Sequence, residues 1–196
     1  MEIDTERLGA AVFEVIRARR SIGKVRPERP PRAVIERLLT AACWAPNHGR
    51  QEPWFFHVFA GDERGRLGEV AAGEYARLYP DRTAKIEKLR GAPLRAPVVV
   101  AVTVAPADDP VVARENYGAA CAAIQNMALL AAAEGLGLMW RSGDMVELEG
   151  VKRMLDLPPD GVIAGFVYIG YPAMETPAAT RCTIDQRSTW HGWDED

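Results

Sequence analysis

The sequence predicts a single α+β domain in which helices cover a central sheet. Two observations carry this prediction: segments with helical spacing alternate with short apolar runs, and two of those runs, 96–105 and 161–170, are apolar without interruption. A strand that is apolar on both faces has to be covered on both faces, so we expect helices above and below it. The length of 196 residues suits one domain, taken to span residues 1–196.

The first part of the chain is predicted to form two helices, a loop and a strand. Apolar side chains share one face over residues 6–20, and a proline pair precedes a second amphipathic segment over 31–45. The loop APNHGRQEP over 45–53 is rich in turn formers, and the aromatic run after it predicts a strand over 54–60.

The middle of the chain supplies the longest predicted helix. Residues 62–79 have a helical pattern, and 81–91 form a short basic helix or loop before the first apolar strand. The helix over 114–134 is rich in alanine and glycine and nearly apolar all round, so we expect it to be buried on most sides, as at a subunit interface.

The last part of the chain alternates strand and helix before an irregular tail. A short strand is predicted to run into a turn over 136–143, followed by a helix over 146–156 and the second apolar strand. The tail after Pro172 has little regular pattern and could wrap the surface or a partner.

Composition excludes several classes of protein. The formal net charge is -3, with lysine and arginine spread along the chain, which argues against a nucleic-acid binder. The sequence contains no run of about 18 apolar residues, so it predicts no membrane span. The acidic start of the sequence is unlike a signal peptide. We therefore expect a cytoplasmic protein. The three cysteines and three histidines show neither a disulfide framework nor metal-ligand spacing.

Three segments carry the polar groups that could form a site. RRSIGK (19–24) ends the first helix with three cations and a hydroxyl, which suits a phosphate; the alternative is a solvated basic helix end. WAPNHGRQEPW (44–54) can hydrogen-bond and stack, or serve only as a polar connection between two packed tryptophans. WRSG (140–143) could meet a cofactor where a strand ends, or be an ordinary strand exit.

The sequence contains no obvious nucleophile or acid/base pair, and we predict no catalytic residue and no metal ligand. An enzyme without such groups usually lets a cofactor carry the chemistry.

Taken together, the three segments resemble the nitroreductase family, in the family's order and spacing, over about residues 12–172. The resemblance implies a three-layer α+β sandwich with a mixed, mainly antiparallel sheet flanked by helices, and a homodimer with FMN at each subunit interface. It also implies a ping-pong reaction in which NADH or NADPH reduces the flavin, and the flavin then reduces a nitroaromatic, a quinone or a similar flat acceptor.

The resemblance assigns cofactor roles to residues of the first segment. Arg19, Arg20 and Ser21 would hold the phosphate, ribityl and ring-edge groups of FMN, and Lys24 would add charge near the phosphate. The common family pattern places an arginine two residues after the serine, where this chain has Gly23.

The other two segments would meet the same flavin from different subunits. Trp44 and His48 would approach it from the partner, and Trp140, Arg141 and Ser142 would lie beside it. Three alternatives stay open: a flavoenzyme of the same fold that dehalogenates a substrate or fragments flavin, a flavin-binding module with little turnover, and a structural dimer without flavin.

Overall fold

The computed structural model describes residues 4–158 and 160–193, so the ends and residue 159 of the expected domain 1–196 lie outside the described residues. The described part contains six α-helices and four β-strands. The helices are α1 (Thr5–Ala18), α2 (Arg32–Cys43), α3 (Glu63–Leu78), α4 (Thr83–Gly91), α5 (Pro110–Ala133) and α6 (Glu149–Met154). The strands are β1 (Trp54–Ala60), β2 (Val98–Val104), β3 (Gly137–Arg141) and β4 (Val162–Gly170).

Every helix and strand expected from the sequence is present, with ends shifted by a few residues. Local capping explains where two of the helices begin. The side chain of Asp4 accepts a hydrogen bond from the backbone amide of Arg7 at 3.0 Å, and that of Asp109 accepts one from the backbone amide of Val111 at 2.7 Å. Such side chains satisfy donors that a first helical turn leaves free.

The four strands form one sheet in the order β1-β2-β4-β3, and all three pairings are antiparallel. All seven residues of β2 are buried, as expected of a central strand. Alternate side chains enter two separate cores: Val100 and Val102 pack with residues of α2 and α5, and Val99 and Ala101 pack with residues of α3, α4 and α6. The predicted α+β sandwich is confirmed.

The expectation of a mixed sheet needs a qualification. Among the described residues, parallel pairing occurs only in the isolated bridge between Ser21 and Leu138, outside the named strands. This bridge nevertheless matters, because it attaches the chain after α1 to the β3 edge of the sheet.

Two helices leave apolar surface uncovered. The prediction that α5 is buried on most sides holds for the side facing the sheet, where Ile124 and Met127 are buried, but Tyr117 and Gln125 on the same helix are exposed. No residue of α1 is buried, although Val12 and Phe13 are apolar. The described part of the chain leaves these apolar side chains exposed. Within the described residues, no helix combines the length and apolar character needed to cross a membrane.

Candidate functional site

The first and third segments meet at the β3 edge of the sheet. Ser21 pairs with Leu138 in an isolated parallel bridge. The amide of Ile22 donates a hydrogen bond of 3.1 Å to the Leu138 carbonyl. The end of α1 is thereby fixed beside the strand that leads into Trp140 and Arg141. Two motifs that are far apart in the sequence become one continuous surface.

Arg141 lies where the family pattern would have a side chain at position 23. A Cβ added to Gly23 would lie 3.8 Å from Nη2 of Arg141 and 3.0 Å from Cε of Met139. Gly23 therefore leaves room for the Met139 side chain, and the Arg141 guanidinium lies within ordinary contact distance of the same position.

The Arg141 side chain is only partly satisfied by its own chain. Its guanidinium carbon lies 5.4 Å from the ring centroid of Tyr168, within range of a cation–π attraction. Its Nε is buried and has no hydrogen-bond partner among the described residues. A buried donor without an acceptor is costly, so this atom is a good candidate for a ligand contact.

Trp140 is held by an irregularity in the neighbouring strand. The β2–β4 register shifts so that Val102 pairs with Gly165 and Thr103 with Ile163, which leaves Ala164 as an extra residue. The indole Nε1 of Trp140 donates to the Ala164 carbonyl at 3.1 Å. This contact fixes the residue that precedes Arg141.

Arg20 lies beside a cavity of about 600 Å³ that sequence reasoning did not anticipate. Its guanidinium donates to backbone carbonyls: Nη1 to Arg17 at 2.7 Å and to Arg19 at 2.8 Å, and Nε to Pro177 at 3.0 Å. Arg181, from the tail, lines the same cavity. The tail has no regular pattern, so its sequence gave no signal that Arg181 would come here.

The cations of the first segment are not neutralised by carboxylates of the described chain. Arg19, Arg20 and Lys24 form no ion pair there, and Glu14, which lines the Arg20 cavity, pairs with Arg17 at 3.2 Å. A site with several such cations and a hydroxyl at Ser21 can bind a phosphate.

The second segment stays apart from the other two within one chain. Trp44 is 83% exposed, and the described residues contain no hydrogen bond from Trp44 or His48 to either of the other segments. Trp44 instead borders an apolar cavity of about 490 Å³ between α1 and α5. The loop is shaped locally, with the amide of Glu52 donating to Oδ1 of Asn47 at 2.9 Å and with positive φ at Gly49.

Beyond Trp140, the strand end borders a second cationic cavity of about 380 Å³. Ser142 and Lys85 of α4 both line it, and Lys85 forms an ion pair with Asp144. This ion pair lowers the pKa of the Asp144 carboxyl, and burial raises the pKa of the Tyr168 phenol at the same cavity. The sequence indicated only a short basic helix here.

The described residues contain no group of three or more histidine, cysteine, aspartate or glutamate side chains arranged to hold a metal ion. The groups present at this surface are cations, a hydroxyl and aromatic rings, which suit a cofactor that carries a phosphate.

The sequence model of the Nitroreductase family matches residues 16–171, a range that contains all three segments. The chain belongs to the nitroreductase family. The expectation drawn from the motifs is thus confirmed at the level of the family. The match ends before Arg181, so the tail lies outside it.

Two relatives show the range of activities that proteins like this chain are named for. The chain is 32% identical over 166 residues to YdjA of Escherichia coli (strain K12), which is provisionally named an NAD(P)H nitroreductase, covering 83% of this chain and 89% of that protein. It is 30% identical over 207 residues to the 5,6-dimethylbenzimidazole synthase of Rhodobacter capsulatus, covering 94% and 91%.

Solved structures agree on the fold. A nitroreductase-like protein from Bacillus cereus superposes with a TM-score of 0.85 at 26% identity, covering 92% of this chain and 96% of that one. A nitroreductase-type protein from Desulfovibrio desulfuricans, solved in complex with FMN, superposes with a TM-score of 0.69 at 25% identity, covering 93% and 98%.

Proposed function

We propose that the protein is an FMN-dependent oxidoreductase that takes hydride from NADH or NADPH and reduces a nitroaromatic, a quinone or a similar flat acceptor by a ping-pong reaction. One observation carries the proposal: the bridge between Ser21 and Leu138 joins the cationic end of α1 to the end of β3. The FMN complex of a family member is consistent with this use of the surface.

The residues at the end of α1 fit the phosphate of FMN. Arg19, Arg20 and Lys24 have no carboxylate partner among the described residues, and Ser21 adds a hydroxyl. An FMN phosphate carries close to two negative charges and needs several cationic donors. Arg181 of the tail, beside the Arg20 cavity, would add to this group.

The residues at the end of β3 fit the remainder of the cofactor. The buried Nε of Arg141 has no partner within the described chain and would gain one from a carbonyl or phosphate oxygen. Trp140 and Ser142 border the adjoining cavity and would contact the flavin edge. When bound, FMN supplies the two-electron chemistry, accepting hydride from the nicotinamide and passing reducing equivalents on. The protein binds, orients and excludes water.

We further propose that two chains form a homodimer, with each flavin held between the subunits. The support is uncovered apolar surface: α1 has no buried residue, and Phe13 and Trp44 are 62% and 83% exposed. A monomer rarely leaves contiguous apolar surface of this kind in water. In such a dimer, His48 and Trp44, which do not reach the site in their own chain, are available to the partner's flavin.

A second function of the same fold deserves a direct test, because one relative is named 5,6-dimethylbenzimidazole synthase. Purified protein supplied with FMN, NADH or NADPH, and a panel of nitroaromatic, quinone and halogenated compounds distinguishes the candidates through its products. The proposal expects donor oxidation and acceptor reduction to match electron for electron: one donor for each quinone reduced to hydroquinone, and two for each nitro group reduced to hydroxylamine. Released halide would instead indicate a dehalogenating enzyme, and breakdown of the flavin itself would indicate a flavin-fragmenting enzyme. Bound FMN without donor oxidation would indicate a binding module.

We propose that the whole chain, residues 1–196, works as one domain in the cytoplasm. The free thiols of Cys43, Cys121 and Cys182 are consistent with a reducing compartment. A supply of NADH or NADPH is also required there for the proposed reaction.

A further inference from the structure

Four cations line the cavity beyond Trp140. Lys85 and Lys88 come from α4, Arg95 from the short segment after it, and Arg141 from the end of β3. We call this the Lys85–Arg141 cavity. Its volume of about 380 Å³ is within the range of small-molecule sites.

Positive charge in the Lys85–Arg141 cavity exceeds what its own chain neutralises. Asp144 is the single carboxylate among the residues described as lining it, and it pairs with Lys85. Lys88, Arg95 and Arg141 form no ion pair in the described part of the chain. Cations converging on one concavity repel one another, so an anionic ligand gains by binding between them.

The floor of the cavity is apolar and partly aromatic. Phe166 and Tyr168 of β4 are buried beneath it, and Met139 and Leu89 add aliphatic surface. A flat ring can pack on such a floor while an attached anionic group reaches the cations. Arg141, whose buried Nε the proposed function assigns to FMN, adds positive charge to the same concavity.

The phosphate of FMN does not account for this charge. The proposed function places that phosphate at the end of α1, near the cavity that Arg20 and Arg181 line, and that cavity shares no lining residue with the Lys85–Arg141 cavity. FMN has one phosphate, so it cannot neutralise both cationic regions.

We propose that the Lys85–Arg141 cavity binds a carboxylate or phosphate group of the electron acceptor, so that the preferred acceptor is a flat anion. The inference rests on the proposed function and deepens it, because it names the substrate class of the same site. Ser142 lines the same cavity, and the proposed function assigns it to the flavin edge, so an acceptor held in the cavity would lie beside the flavin.

The test compares two acceptors that differ mainly in charge, 4-nitrobenzoate and 4-nitrobenzyl alcohol. Lys88→Gln and Arg95→Gln each remove one exposed cation from the cavity rim without touching the core. The matched control is Arg82→Gln, an equal charge change at the exposed start of α4 that does not line the cavity. Each rim variant should lower kcat/KM for the benzoate about three- to tenfold relative to the alcohol, and the double variant about tenfold or more. The control should leave that ratio unchanged.

Two further measurements, the Kd for FMN and the KM for each donor, show whether the rim cations bind the cofactor or the donor instead of the acceptor. If the rim variants raise the Kd for FMN, or raise KM for NADPH but not for NADH, while the ratio between the acceptors stays constant, the cavity serves the cofactor or the donor and the inference is wrong. A constant ratio with unchanged cofactor and donor binding also refutes it.

A binding experiment separates this inference from the proposed function. Titration calorimetry of 4-nitrobenzoate into the FMN-loaded protein, without donor, should show binding that the alcohol does not match and that both rim variants weaken. If this charge-dependent binding occurs but no acceptor supports donor oxidation, the proposed function fails and the anion site stands. If both acceptors are reduced equally well and neither kcat/KM nor binding depends on the rim charges, the proposed function stands and the anion site is wrong.

Discussion

Replacing Gly165 with alanine tests whether the irregular β4 strand positions the site. A Cβ at this residue would lie 2.1 Å from Nε1 of Trp140 and 3.0 Å from the backbone oxygen of Arg141. Neither atom belongs to the far end of a flexible chain, so the indole has to leave its place. The perturbation therefore acts on Trp140 and on the residues that follow it.

The expected cost combines two effects. The indole loses its hydrogen bond to the Ala164 carbonyl, a contact of 3.1 Å that contributes about 1 kcal/mol. Forcing a methyl group into the occupied space costs about 1–3 kcal/mol more. We expect Gly165→Ala to lower the free energy of unfolding by about 2–4 kcal/mol, and to weaken FMN binding about tenfold or more because Arg141 and Ser142 shift with Trp140.

The assay is urea unfolding at one protein concentration, with Gly73→Ala as the matched control. Gly73 lies exposed within α3 with nothing near its missing Cβ, so alanine there should stabilise the protein by about 0.5–1 kcal/mol. In a Trp140→Ala background, Gly165→Ala should cost less, because both clashing indole atoms are gone, while the contact with the Arg141 oxygen remains. A Gly165→Ala protein as stable as wild type, or a cost unchanged in the Trp140→Ala background, would refute this account of the site.

Three more predictions concern the cofactor, the dimer and the pH dependence of stability. Arg20→Ala should raise the Kd for FMN about 10- to 150-fold through loss of a charge-assisted contact; an unchanged Kd in a flavin-fluorescence titration would contradict the phosphate assignment. Mixing Arg20→Ala and His48→Ala subunits should restore about a quarter of the sites, since random mixing gives one intact site in each heterodimer; no recovery would argue against a shared site. Because Lys85 lowers the pKa of Asp144 in the folded protein, the ion pair stabilises at neutral pH and that contribution is lost as pH falls through the lowered pKa. The difference in unfolding free energy between wild type and Asp144→Asn should therefore be constant above about pH 5 and shrink below about pH 4, and a difference independent of pH would contradict it.

Periodicity was enough to predict the helices and strands. The uninterrupted apolar run of β2 predicted a central strand, and the sheet places it between β1 and β4 with every side chain buried. These signals are local, since they depend only on which faces of each segment are apolar. The exposed apolar side chains of α1 and α5 show where the same reasoning stops, because local patterns do not reveal what packs against a face.

The candidate site was predictable as motifs but not as geometry. The sequence marked Arg20, Ser21 and Arg141, yet only the fold shows that Arg141 approaches the place left open by Gly23. Arg181 gave no signal, because the tail lacks regular spacing. The basic helix that carries Lys85 was indistinguishable from a solvated charged face until the fold placed it at the same cavity as Arg141. Charge patterns in a sequence do not reveal which side chains converge.

The most direct test of the central claim is the absorbance spectrum of the purified protein, before and after anaerobic addition of NADH and then NADPH. The account predicts flavin bands near roughly 370 and 450 nm, present on purification or gained with added FMN, that bleach with at least one donor. A protein that stays colourless after FMN is added, or bands that neither donor bleaches, would contradict it.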